Sequence, residues 1–278
     1  MELFNIYRPT IKALPLVANI PHSGLFVPDD IAAQFTTEHL NSLPYSDWHL
    51  HRLYDFLPSL GITVLQATHN RYVVDLNRQV NEPLFGSFWS SVIPEKTALN
   101  QQIYQHKPTL KHIQQRIEKY YLPYHHQLKL LLQEKIEEFG KVYLLDLHSF
   151  LGLMNDDICL GNVNNKTCSE LLITTVEKCF ASQGFPSEFF SYKKNLMGAR
   201  QGFQVVRNKT FTGGYITKYY GQIPEVESLQ IEVHYHVYLK DNQLDKLEPP
   251  RYDVIEFEVA KKKFYHIFNM IINKLFHD

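Results

Sequence analysis

The stretch VYLLDLHSF, residues 142–150, decides how the chain is read. It opens on Val142, Tyr143, Leu144 and Leu145, an apolar run with β-branched and aromatic residues at its front, which reads as a buried strand. It then ends on Asp146, Leu147, His148 and Ser149. An acid, an imidazole and a hydroxyl contribute nothing to an apolar interior. Their place at the end of such a strand asks for a chemical reason.

Similar short apolar runs recur along the chain. Residues 14–20 (LPLVANI), 62–68 (ITVLQAT), 72–76 (YVVDL), 157–161 (DICLG), 203–208 (FQVVRN) and 229–235 (LQIEVHY) also read as strands. Helical patterns lie between them. One covers 45–58, two cover 108–122 and 124–139 with a break at Pro123 and a stop at Gly140, and one covers 167–182. A closing helix spans about 253–276, with Val254, Phe257, Phe264, Ile267, Phe268 and Ile271 on its apolar positions. Strands alternating with helices predict an α/β protein, a three-layer α/β/α sandwich around a mixed sheet. No Gly-, Pro- or Ser-rich linker divides the chain, so residues 1–278 are expected to form a single domain. In open α/β sheets ligands bind at the carboxyl ends of strands, where Asp146, His148 and Ser149 fall.

Composition narrows the function classes. The chain has 278 residues, net charge −1 and 21% charged residues, with no basic stripe of the kind nucleic-acid binding needs. No apolar run reaches the roughly 20 residues of a membrane span. The N-terminal stretch has no basic segment followed by an apolar core, so no signal peptide is expected. Three cysteines without a CxxC pair point to a reducing, cytoplasmic setting rather than a disulfide framework. Cys159 is expected in the core.

Four segments place reactive groups just after a strand. ANIPHSG brings His22, YVVDLNR brings Asp75, Asn77 and Arg78, DLHS brings His148, and QIEV interrupts an apolar strand with Glu232. Such a set suits metal-assisted hydrolysis. Zinc takes His and carboxylate ligands, three from the protein in a catalytic site, and a nearby carboxylate can manage the proton of the attacking water. The residues alone offer His22 and His148. They leave the third ligand open among Asp47, Asp75, His49 and Asp146.

The ordered set IPHSG, SDWHLHRLYD, NRYVVDLNR, LLDLHS, FTGGYITKYYG and LQIEVHYHVYL resembles the N-formylglutamate amidohydrolase family, related to the zinc carboxypeptidase and aspartoacylase group. The resemblance runs from about residue 14 to about residue 240. It implies a phosphorylase/hydrolase-like α/β/α fold and a zinc site, with cobalt, manganese or nickel as substitutes. By this resemblance His22, Asp47 and His148 hold the metal. Glu232 is the general base, and Arg71 steadies the oxyanion. Asn77 and Arg78 clamp the substrate carboxylate, and a planar guanidinium suits that task. The loop around Thr212, Gly213, Gly214, Tyr215 and Thr217 lines the pocket, with Arg207 for a second carboxylate. The implied partner is a small acylated amino acid, hydrolysed to formate and glutamate in histidine breakdown. The alternatives are a deacylase or carboxypeptidase-like enzyme on another amide, and a non-catalytic binding protein on the same fold.

The sequence also departs from its relatives. Leu25 stands where the carboxypeptidase HxxE pattern has its acid. Where relatives read roughly Glu-Ile-Asn-Arg, this chain has Glu232, Val233, His234 and Tyr235, with Tyr238 retained. The arginine is missing, and His234 or His236 is the expected partial replacement. YHHQ (124–127) is not expected to ligate, because adjacent helix positions point about 100° apart. Residues 83–98 read as a long loop, either a lid or a cover for the sheet edge.

Overall fold

VYLLDLHSF lies in the middle of the sheet. In the computed structural model, which describes residues 2–152, 156–182, 202–240 and 248–277, all nine of its residues are buried. The strands are β1 (Phe4–Tyr7), β2 (Leu16–Ile20), β3 (Thr63–Ala67), β4 (Phe85–Gly86), β5 (Ile93–Pro94), β6 (Val142–Phe150), β7 (Ile158–Gly161), β8 (Val205–Arg207) and β9 (Val226–His234). Seven of these form one sheet in the order β1-β3-β2-β6-β9-β7-β8. β3, β2, β6 and β9 run parallel, while β1 and β7 are antiparallel to their neighbours β3 and β9. β6 is therefore covered by strands on both sides and by helices on both faces. Such a strand shows a continuous apolar run rather than an alternating one.

The helices are α1 (Asp29–Ala32), α2 (Thr37–Ser42), α3 (Leu50–Leu53), α4 (Leu110–Arg116), α5 (Leu122–Phe139), α6 (Glu170–Ala181), α7 (Tyr215–Tyr220) and α8 (Ile255–Phe276). Two apolar clusters lie on opposite faces of the sheet. Leu145 and Leu147 of β6 join α3, α6 and α8, through Leu53, Val176, Phe264 and Phe268. Val142 and Leu144 join α4, α5 and α7, through Ile113, Leu128 and Ile216. The mixed α/β sandwich is as expected. No helix among the described residues is long and apolar enough to cross a membrane.

Three expected elements differ. YVVDL forms no strand: Tyr72, Val73, Val74 and Leu76 are buried in a turn-rich segment, tied by Tyr72 N to Asn70 Oδ1 and by Asp75 N to Val92 O. An apolar run reports burial, not a ladder. The helix expected over 45–58 shrinks to α3 and a 3₁₀ turn at Leu57–Leu60. Tyr45 and His49 both have φ of 60°, which an α-helix does not accommodate. The expected break at Pro123 is instead a π-helical turn, Ile117–Tyr121, that joins α4 to α5. Pro123 has no N–H for the carbonyl one turn back, and the wider turn absorbs that loss.

Candidate active site

β6 explains its own ending. Side chains alternate along a strand, so Val142, Leu144, Asp146 and His148 share one face. That face is apolar at its start and polar at its carboxyl end. β9 does the same, with Gln230 and Glu232 following Val226 and Ser228. In the parallel register Asp146 pairs with Gln230 and His148 with Glu232, while Asn19 of β2 pairs with Asp146. One row of polar residues thus crosses three adjacent strands at the carboxyl end of the sheet.

His22, Asp47 and His148 are brought together there. All three are buried, and one ligand atom from each lies within 4.8 Å of the others. His148 Nδ1 is 3.2 Å and His22 Nδ1 is 3.9 Å from Asp47 Oδ2. The other nitrogen of each ring meets a second carboxylate. His22 Nε2 lies 2.8 Å from Asp75 Oδ1, and His148 Nε2 lies 3.2 Å from Asp146 Oδ1. An Nε2–H donated to a carboxylate leaves Nδ1 with its lone pair toward the shared space, the arrangement that orients metal-ligating histidines. Two imidazoles and one carboxylate make a donor set that fits a catalytic divalent ion, which in such sites keeps a further position for water or substrate. Asp75 and Asp146 thus stand behind the histidines. His49 is turned away, with Nε2 2.5 Å from Pro250 O.

Asp47 is held by a strained turn. Tyr45 and His49 on either side of it occupy the left-handed region, at a cost of about 1–2 kcal/mol each. The turn is fixed by Tyr235 Oη donating to Ser46 O at 2.6 Å and Asn70 Nδ2 to Ser46 Oγ at 2.7 Å. Asp47 N also donates to His22 O. Strain of this kind persists only where the surroundings over-determine it.

Charges in the site are interlocked. Arg71 donates to Asp75 Oδ2 at 2.6 Å, and its guanidinium stacks on the Phe88 ring at 4.6 Å. Burial pushes the Asp75 carboxyl up, but Arg71 and His22 outweigh it and hold it well below the usual range. Burial and Arg71 bring His22 down to about 4, so this ring is neutral, as a ligand must be. Burial also pushes His148 down, yet Asp146 and Asp47 outweigh it and hold that ring well above the usual histidine range. Metal binding there would displace a proton. Burial raises Glu232 to about 8 against the opposing pull of His148. A carboxyl group raised in this way suits proton transfer near neutral pH.

The remaining expected site residues divide. A cleft of about 420 Å³ is lined by His22, Asp47, Arg71, Asn77, Arg78, His148, Thr212, Gly213, Gly214 and Glu232. Asn77 Nδ2 lies 3.1 Å from His148 Nε2, and its Oδ1 accepts from Ile216 N. Arg78 donates to Asn77 O and twice to Phe88 O. Gly213 has φ of 120°, and a Cβ on Gly214 would overlap the Asn77 amide. The two glycines therefore let the loop close against the site.

Arg207 does not join the cleft. Its guanidinium is engaged by Glu170, Thr174 and Glu177 of α6, because β8 is the edge strand beside that helix. Tyr215 is also outside it, stacked on Tyr219. Thr217 gives its hydroxyl to Asp146 at 3.0 Å. Neither His234 nor His236 lines the cleft, since they face Gly152 O and Asp157 Oδ1. Tyr238 is buried against Ser149 Oγ and Trp48 O. Residues 83–98 form a wall carrying β4, β5 and the buried Phe88.

One residue that lines the cleft escaped the sequence reading. Gln230 donates to Glu232 Oε1 at 2.8 Å and accepts from Gly214 N at 2.6 Å. It ties the carboxylate to the glycine loop. Its position two residues before Glu232, on the same strand face, was the available signal.

A profile of the N-formylglutamate amidohydrolase family matches residues 14–239. The chain is 30% identical over 241 residues to an N-formylglutamate deformylase of Pseudomonas aeruginosa, covering 82% of this chain and 83% of that protein. It is 29% identical over 242 residues to one of Pseudomonas putida, covering 83% and 84%. Its fold matches the crystal structure of an N-formylglutamate amidohydrolase from Ralstonia eutropha JMP134, with TM-score 0.77, 24% identity, and 99% and 97% coverage. A gene product of Agrobacterium tumefaciens shares the fold with TM-score 0.69, 16% identity, and 99% and 95% coverage. With the family profile extending over most of its length, the chain belongs to the N-formylglutamate amidohydrolase family.

Proposed function

We propose that this chain hydrolyses the amide of an N-acylated acidic amino acid, N-formyl-L-glutamate, to formate and L-glutamate. One observation carries this reading: a buried His22–Asp47–His148 group shares a cleft with a raised carboxyl group, Glu232, and two arginines, Arg71 and Arg78. Membership of the family supports the substrate. The donor set supports zinc, with cobalt, manganese or nickel also compatible. Cytoplasmic histidine breakdown is the setting that this substrate suggests.

The mechanism assigns each residue a task. A divalent ion bound by His22, Asp47 and His148 would polarise the amide carbonyl and acidify water. Asp75 and Asp146 hold the two imidazoles in the tautomer that presents Nδ1. Glu232, whose ionised form a divalent ion in the same cleft would favour, accepts a proton from the attacking water and returns it to the leaving nitrogen, while Gln230 fixes the carboxylate in place. Arg71, anchored by Asp75, donates toward the oxygen that becomes negative in the transition state. Arg78, anchored by Phe88 O and Asn77 O, receives the substrate carboxylate.

The test is formate release from N-formyl-L-glutamate by the purified protein, before and after a chelator and after metal is restored. Chelator-sensitive, metal-restorable release is expected. Release that a chelator leaves untouched would refute the metal requirement, and no release in the metal-loaded protein would refute the substrate.

A further inference from the structure

We infer that the cleft also accepts formylated amino acids with apolar side chains, so that N-formyl-L-leucine is a substrate alongside N-formyl-L-glutamate. The inference rests on the amide-hydrolase reading above and concerns what the amino-acid side chain meets.

The first observation is the charge inventory. N-formyl-L-glutamate carries two carboxylates. The only Lys or Arg side chains lining the cleft, among the described residues, are Arg71 and Arg78. Arg71 is already paired with Asp75 at 2.6 Å. Arg207 is held by Glu170 and Glu177 on the far side of β8. Lys209, near the same loop, is paired with Asp156. Among the described residues, one arginine whose donors otherwise go to backbone carbonyls is thus left for carboxylate capture, in a cleft whose lining also includes Asp47 and Glu232. Among the described residues, a second carboxylate would enter with no fixed cation of its own and with Asp47 nearby. Imperfectly paired polar groups lose affinity on desolvation.

The second observation is the rim. Among the described residues, Leu99 and Trp89 are two of the most exposed large apolar side chains, at 70% and 62%, and both line this cleft. Ala98 and Phe88 continue their wall. Leu151, 42% exposed, and Phe211 line the same cleft from other segments. Scattered exposed apolar residues need no explanation, but their convergence on the mouth of a polar site does. The space fits the same conclusion. A cleft of about 420 Å³ lies in the range that holds drug-sized ligands, whereas N-formyl-L-glutamate has only about a dozen non-hydrogen atoms, well below that size. An apolar side chain would gain from covering Trp89 and Leu99, whereas a second carboxylate would meet no second cation among the described residues.

The reaction balances without any new reagent. Water adds to the formyl carbon, the C–N bond breaks, and the nitrogen takes a proton from Glu232. N-formyl-L-leucine and water give formate and L-leucine.

The experiment compares kcat/KM for formate release from N-formyl-L-leucine and N-formyl-L-glutamate by the metal-loaded protein. A leucine-to-glutamate ratio of about one tenth or more is expected, within what a side-chain pocket discriminates. Two rim variants then test the cause. Trp89→Ala should lower that ratio at least about threefold by removing apolar cover. Leu99→Lys should lower it as well, by supplying the missing cation. A ratio below about one tenth with N-formyl-L-glutamate turned over, or a ratio that neither variant moves, overturns this inference and leaves the hydrolase reading standing. Turnover of N-formyl-L-leucine alone would uphold the apolar side-chain assignment and refute the glutamate one. Turnover of neither would overturn both. An N-hexanoyl-L-glutamate control separates the sources of an apolar group: if it is hydrolysed and N-formyl-L-leucine is not, the rim serves the acyl chain and the side-chain assignment is wrong.

Discussion

Replacing Asp75 with asparagine removes one charge and almost no volume, yet it touches both halves of the site. Asp75 Oδ1 lies 2.8 Å from His22 Nε2, and Oδ2 accepts from Arg71 at 2.6 Å. Two separate effects follow. Asparagine can still accept a hydrogen bond from His22, but it no longer raises the basicity of that ring as a carboxylate does. Partners of this kind are worth about 10–100-fold in metal affinity or activity, or about 1.4–2.8 kcal/mol. The second effect is on stability. Arg71 is buried, and breaking a buried pair by removing one partner costs about 3–5 kcal/mol. The Tyr45 carbonyl at 3.3 Å and the Phe88 ring remain to Arg71 and reduce that loss toward about 3 kcal/mol. The assay is competition for metal against a calibrated chelator, run well below the variant's unfolding midpoint, with urea unfolding of the metal-free protein beside it. Metal affinity within twofold of wild type would refute the argument that Asp75 sets the His22 tautomer.

Other substitutions separate the remaining roles. Glu232→Gln should keep metal content and lose most turnover, about 100-fold or more; normal turnover would remove Glu232 from proton transfer. Arg78→Lys should raise KM for N-formyl-L-glutamate about tenfold or more with metal content unchanged, since a lysine lacks the planar fork; an unmoved KM would place the substrate carboxylate elsewhere. His39 tests the pH behaviour of the fold away from the site. Its ring packs edge-on to Tyr72 and Phe35, its Nε2 has no hydrogen-bond partner among the described residues, and burial lowers it to about 4. The folded pKa is below the unfolded one, so its contribution is present above about pH 6.5 and lost as pH falls toward about 4. His39→Phe should therefore gain on wild type by up to about 3 kcal/mol over that window in urea unfolding; parallel profiles would refute this.

Much of this was legible in the sequence because strand ends carry their chemistry in order. His148 and Glu232 sit on strands whose apolar partners announce them, and the polar face begins where the apolar one stops. Asp47 and Arg71 needed family resemblance, since each lies in a turn whose shape depends on distant contacts such as Tyr235 to Ser46. Tyr72–Leu76 misled because a buried loop and a buried strand share an apolar run, and only hydrogen-bond partners tell them apart. The helix over 45–58 failed because Tyr45 and His49 adopt left-handed backbone that their residue types do not signal. Arg207 looked available because its acidic partners lie on α6, about thirty residues earlier in sequence. Gln230 passed unnoticed because a glutamine in a strand has many uses, and only the register with β6 gives it one.

The central claim is that His148 delivers a ligand to a metal. Metal content per chain after exhaustive dialysis, for wild type and His148→Ala side by side, tests it most directly. The account expects about one tightly held divalent ion per wild-type chain and a loss of about 100-fold or more in affinity in the variant, whose folded state is verified by circular dichroism. Equal metal in both proteins would contradict it, and so would a wild-type chain that binds no divalent ion.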